Sequence, residues 1–312
     1  MISRVEKGFS RALLRTALFL LLGSAMFAGC RNAPFYRMTS KASQSLPLRR
    51  EGIVAFERGD LDLAEARFQE ALKLNDADVE TNRYYGETLW LRGKRQEAME
   101  VLRGAAGKHG AVDAETSLYL SLGEKSLELE DFDEASTWAK KVVDLSPKSV
   151  EGWELCGKVD RAFGNNEQAL LDFQRAAHFS VDDRSLLFQI ATLQNELGDF
   201  DSGLATWQCL ERLYPTNHEP ASVFAGKGEA YVGLGLYADA ASAYEVAARY
   251  EPNEPLYRAR LAETSLFQGR YDEALATLDA AGSAFNDDPE CRRVRQRVED
   301  VARANMEKGV LH

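Results

Sequence analysis

The stretch Ala221–Glu254, ASVFAGKGEAYVGLGLYADAASAYEVAARYEPNE, decides the fold. Phe224, Gly228, Tyr231, Gly235, Ala240, Tyr244, Ala247 and Pro252 alternate bulky and small residues at helical spacing, interrupted by one turn glycine and closed by proline. Small residues belong where two antiparallel helices touch, and rings fill the space beside the contact. Gly228 and Ala240 therefore predict the crossing of a helical hairpin, Gly235 its turn, and Phe224, Tyr231 and Tyr244 its filling.

The same unit recurs along the chain. The small residue of the first helix appears as Gly52, Gly86, Gly123, Gly157, Ala191, Gly228 and Ala262, at separations of 34, 37, 34, 34, 37 and 34. The second helix repeats those separations with Ala64, Ala98, Ala135, Ala169, Gly203, Ala240 and Ala274, followed four residues later by Phe68, Leu102, Ala139, Phe173, Trp207, Tyr244 and Leu278. Gly59, Gly93, Glu130, Gly164, Gly198, Gly235 and Gly269 stand between the helices. The third unit departs twice, with Glu130 at the turn and Ala139 at the filler. This order of residues resembles the tetratricopeptide (TPR) repeat. The resemblance implies an all-α fold: a right-handed α-solenoid of about seven TPR hairpins over residues 45–288, closed by a capping helix over 289–307 and a tail over 308–312. Cys291, Val294, Val298 and Val301 supply the apolar stripe of that last helix, and its cluster of Arg292, Arg293, Arg295 and Arg297 reads as a solvated face interleaved with acids.

Residues 1–29 lie outside the repeat. Arg4, Lys7, Arg11 and Arg15 precede an apolar run from Ala17 to Phe27 that ends in Ala28-Gly29-Cys30, the layout of a secretory signal peptide. A membrane-spanning helix needs ~20 apolar residues, and this run is shorter. The small residues before Cys30 resemble a bacterial lipobox, with Phe27 in place of its usual leucine; the resemblance implies lipidation of Cys30 and cleavage in front of it. Ordinary cleavage after Ala25 is the alternative. Removing residues 1–29 takes away four basic residues and one acidic one, which carries the net charge from −11 to −14. So acidic a body is repelled by anionic lipid, so the acyl chains would hold it at the membrane. Arg31, rather than aspartate, after the cysteine is similar to lipoproteins sorted to the outer membrane, facing the periplasm. Residues 30–44, with Pro34 and no helical period, read as the lipidated N-terminus and a short linker.

The chemistry expected of the chain is binding. His109, His178, His218 and His312 are not paired at metal-ligand spacing, and Cys156, Cys209 and Cys291 are scattered core residues, so neither a metal nor another cofactor is expected. Gly226-x-Gly228 lies inside a helix and is no phosphate cradle, no nucleophile elbow is present, and the acidic charge excludes nucleic-acid backbone binding. An enzyme is not expected. In TPR arrays the first helices line an inner surface that takes peptides or helices. Candidate residues on those faces are Ile53, Phe56, Glu87, Trp90, Glu124, Leu127, Phe188, Glu229, Val232, Glu263 and Phe267. Counting ten glutamates there against Arg49, Arg83, Lys158 and Arg161 predicts a negative groove with apolar anchors for a basic, partly apolar segment of a protein partner. Equally open are glutamates that are merely solvated and apolar residues that pack between hairpins. Ile53 and Tyr84 occupy places where chaperone-tail-binding members carry asparagine, which disfavours an acidic tail. The alternative functions are an enzyme or small-ligand binder using a pocket of the superhelix, or a passive spacer.

Overall fold

The structure, a computed structural model, describes residues 34–280 and 288–307. The signal segment 1–29, Cys30 and the tail 308–312 lie outside the described residues. Fifteen helices and no strands form the described chain: α1 Pro34–Glu57, α2 Leu61–Leu74, α3 Val79–Leu91, α4 Arg95–Ala105, α5 Val112–Glu128, α6 Phe132–Leu145, α7 Val150–Ala162, α8 Asn166–Phe179, α9 Arg184–Glu196, α10 Phe200–Arg212, α11 Ala221–Gly233, α12 Tyr237–Tyr250, α13 Pro255–Phe267, α14 Tyr271–Asp279 and α15 Pro289–Glu307. The fold is an α-solenoid of antiparallel hairpins. Its chain divides inside α5 into two compact units, one ending at Lys125 and the other beginning at Ser126.

In the first unit α1 packs on α2, α2 on α3, and α3 on α4. In the second, each helix from α6 to α14 packs on the next, and α15 packs on both α13 and α14. In four hairpins the close contact is the one expected from the small residues. A Cβ at Gly52 would fall 2.5 Å from the Phe68 ring, at Gly86 2.5 Å from Leu102, at Gly157 3.0 Å from Phe173 and at Gly228 2.8 Å from Tyr244. Ala64, Ala98, Ala135, Ala169, Ala240 and Ala274 are fully buried opposite. Gly203 breaks the alanine series because the side chain of Asn195 occupies the place where a Cβ would stand.

The turns are the most regular element. Gly59, Gly93, Gly164, Gly198, Gly235 and Gly269 have φ between 73° and 79°, and Glu130 adopts the same left-handed conformation at φ 60°. Each turn also makes the same bond from the residue after it to a carbonyl five residues back, as in Asp60 N–H to Ala55 O at 2.9 Å and Asp131 N–H to Ser126 O at 2.9 Å. Glu130 is therefore a departure in residue type only. Asp60, Asp131 and Asp199 then cap α2, α6 and α10 by accepting from the backbone three residues on.

At the N-terminal end the structure corrects the sequence reading: residues 34–44 belong to α1 rather than to an irregular linker. Pro34 sits at the first helical position, where its missing N–H costs nothing, and the polar residues that follow are adequate helix formers without an apolar stripe. Pro47 lies inside α1 and removes one helical hydrogen bond. At the other end, Cys291, Val294 and Val298 of α15 are buried against Ala259, Ala262, Leu266, Ala274 and Leu278.

Candidate functional site

In the second unit the first helices α9, α11 and α13 bring Phe188, Glu229, Val232, Glu263 and Phe267 to one strip of surface containing two adjoining hollows. One, of about 250 Å³, is lined by Phe188, Trp207, Ala225, Gly226, Leu256 and Tyr257. The other, also about 250 Å³, is lined by Val232, Glu263, Thr264 and Phe267. Both share Glu229, Tyr244 and Arg260.

Packing fixes the walls. Phe188 meets the Trp207 ring edge-on with centroids 5.1 Å apart, and Trp207 lies where a Cβ of residue 226 would collide with it, so Gly226 is required there. Phe267, 45% exposed, stacks on Tyr237 at 5.3 Å. Tyr244 is buried between Glu229, Arg260 and Glu263; burial first, and then the Glu229 carboxylate, push its phenol well above the usual range, so it stays protonated.

The charges are more balanced than the sequence count implies. Arg260 reaches Glu263 at 3.0 Å and also pairs with Glu290 of α15, while Arg297 of α15 binds the second oxygen of Glu263. Glu263, 7% exposed, is thus an internal tie and not an offered carboxylate. Glu229 is exposed, with one long bond from Asn195 Nδ2 at 3.3 Å. On other first helices Glu80 pairs with Arg49, Glu154 with Lys158 and Glu196 with Arg161. Lys125, Lys227 and Arg260 were outside the count of four, and they offset part of the acidity.

The candidates of the first unit serve packing and ion pairing. Ile53 and Phe56 pack, with Tyr84 and Tyr85, against buried Ala55, Ala64 and Phe68, and Phe56 lies edge-on to Tyr84 at 5.6 Å. Glu87 accepts from the buried Lys125 at 2.9 Å and from Ser121, and Trp90 lies under Arg95 and Lys125. Arg49, one of the four basic residues counted on these faces, is taken by Asp78 and Glu80. Glu124 is exposed. Leu127, beyond the division of the chain, is half-buried.

A third hollow, about 420 Å³, lies among α6, α7 and α8 and is lined by Ala139, the unusually small filler, with Trp153, Cys156, Asp160, Asp172 and Arg175. Burial, and then the nearby Asp172 and Asp160, push the Cys156 thiol up to about 12, which makes it a poor nucleophile. Burial likewise raises Asp172, which accepts from Gln168 at 3.1 Å and Arg175 at 2.7 Å.

Sequence reasoning missed Arg260, Leu256 and Tyr257 as parts of the strip. Trp207 and Tyr244 were legible as hairpin fillers, but not as walls of a hollow. The available signal was Gly226: the position two before the crossing residue carries Arg50, Tyr84, Ser121, Leu155, Gln189 and Arg260 in the other hairpins.

Comparison with known proteins supports this architecture. Models of the tetratricopeptide repeat match residues 49–113 and 231–298. Superkiller protein 3 of Schizosaccharomyces pombe is 25% identical over 198 residues, 60% of this chain and 14% of that protein. DnaJ homolog subfamily C member 3 of Bos taurus is 24% identical over 221 residues, 68% of this chain and 40% of its own length. The chain therefore spans well under half of these relatives. Among solved structures, Pseudomonas aeruginosa pilF superposes with a TM-score of 0.59 at 16% identity, covering 72% of this chain and 99% of that one. A tetratricopeptide repeat protein from Parabacteroides merdae gives 0.55 at 16% identity, covering 82% and 99%. YrrB, described as a TPR protein with an unusual peptide-binding site, gives 0.52 at 18% identity, covering 61% and 95%. The chain is an all-α solenoid containing tetratricopeptide repeats.

Proposed function

We propose that this chain is an exported, lipid-anchored adaptor that holds a segment of a protein partner on the first-helix strip of its second unit. The observation that carries the reading is the strip itself: two hollows joined through Glu229, Tyr244 and Arg260 and flanked by Phe188, Val232 and Phe267. Apolar walls with a few fixed polar groups suit recognition of a side chain and its neighbours. The repeats favour protein binding over catalysis, and the peptide-binding site ascribed to YrrB is a precedent on the same fold. Anchoring rests on the basic and apolar N-terminal segment ending at Cys30, and an outer-membrane address facing the periplasm rests on Arg31. No helix among the described residues is long and apolar enough to cross a membrane.

The test is photo-crosslinking in cells from a reactive amino acid placed at Val232 or Phe267, with Leu171 as a control. Leu171 is exposed on α8, a second helix. Crosslinks to one envelope protein from 232 and 267 and not from 171 support the reading; equal crosslinking from 171 contradicts it. Labelling with a clickable fatty acid, lost in Cys30→Ala, tests the anchor, and labelling that persists in that variant removes it.

A further inference from the structure

The hollow over Gly226 points to the chemistry of the partner segment. Counting from the crossing residue of each hairpin, the two positions occupied here by Ala225 and Gly226 hold Arg49-Arg50, Arg83-Tyr84, Leu120-Ser121, Glu154-Leu155, Phe188-Gln189 and Ala259-Arg260 elsewhere. Only α11 is small at both. Gly228 already provides the close approach that hairpin packing needs, against Tyr244. Gly226 does something further: it admits the Trp207 ring of the preceding hairpin, and with Ala225 it leaves space open to Phe188, Leu256 and Tyr257.

Trp207, 2% exposed, lines the hollow with its ring, and its unpaired Nε1–H is buried out of reach of a ligand. One polar feature accompanies that space. At the rim, Arg260 is tied to Glu263 and Glu290, whereas Glu229 is exposed and held only by its long bond from Asn195. The unneutralised charge beside the hollow is negative.

We infer that the Gly226 hollow takes one large apolar side chain of an extended partner segment, whose neighbouring lysine or arginine meets Glu229. This rests on the strip being the binding surface and adds which chemistry it selects.

The experiment uses the full chain in detergent and a displayed library of short random peptides, followed by affinity measurement on the selected peptides. Selection enriches a bulky apolar residue with a lysine or arginine close by. Ala225→Phe fills the hollow without touching the Trp207–Gly226 contact and lowers affinity at least tenfold; Ala225→Leu does so if the larger variant fails to fold. Glu229→Lys reverses the preference for basic peptides. Enrichment of acidic or purely polar peptides overturns the inference. So do selected peptides that block crosslinking at Phe267 yet bind equally to wild type and to both Ala225 variants; the strip then stands and the hollow does not. Peptides that neither respond to these substitutions nor block crosslinking at Phe267 sink both.

Discussion

Replacing Glu130 by glycine should stabilise the protein. Glu130 stands at φ 60° in a turn whose counterparts are glycines at φ 73–79°, with the same backbone hydrogen bonds on either side. A non-glycine residue in the left-handed region costs about 1–2 kcal/mol. Glycine relieves that strain but adds freedom to the unfolded chain, worth about 0.5–1 kcal/mol in the opposite direction. The exposed Glu130 side chain sets no core contact, so the net gain is about 0.5–1 kcal/mol. For a cooperative unit of this size the melting temperature should rise by about 1–4 °C. Urea titration gives the cleaner value, as a higher midpoint at unchanged slope. Glu130→Ala is the control, since alanine keeps the strained backbone and removes the same charge. If the glycine variant is no more stable than the alanine variant, the turn is not strained and the reasoning is refuted.

Asp172→Asn should stabilise the chain at pH 8, with the advantage fading as pH falls through the raised pKa of Asp172 and gone below the usual carboxylate range. Burial raises the folded pKa of Asp172, so the folded chain holds that proton longer and wild-type stability declines as pH rises through this pKa; melting temperature against pH checks the sign. Glu263→Gln weakens the tie of α13 to Arg297 of α15 and the Arg260 pair within α13, and should cost about 1–3 kcal/mol, seen as faster amide exchange in α15 before the rest of the unit opens. Phe173→Ala empties the space over Gly157 and should cost about 3–5 kcal/mol in urea titration.

The hairpins were legible because one steric event repeats: Gly52, Gly86, Gly157 and Gly228 each face a bulky filler sixteen residues later, which leaves little or no room for a Cβ. Glu130 shows the limit of reading type for conformation, since the flanking hydrogen bonds hold the turn whatever side chain it carries. The start of α1 was missed because polar residues around Pro34 form helix without an apolar period to announce it. Gly203 was read as one more small residue, and its cause, Asn195 of the facing helix, is a tertiary contact invisible to spacing. At the candidate site, Phe188, Val232 and Phe267 were recoverable from the register of the first helices. The electrostatics were not, because pairs such as Glu263 with Arg297 and Glu87 with Lys125 join residues 34 and 38 positions apart, and a face-by-face count cannot see which charges cancel.

The most direct measurement compares partner binding by two single variants, Phe267→Glu and Phe179→Glu, using the envelope protein identified by crosslinking. The two phenylalanines are similarly exposed, 45% and 41%, but Phe267 flanks the strip on a first helix and Phe179 ends α8, a second helix. Loss of affinity of tenfold or more in Phe267→Glu, with Phe179→Glu matching wild type, is the predicted result. Undiminished binding by Phe267→Glu, or equal loss in both, would contradict the assignment of function to this surface.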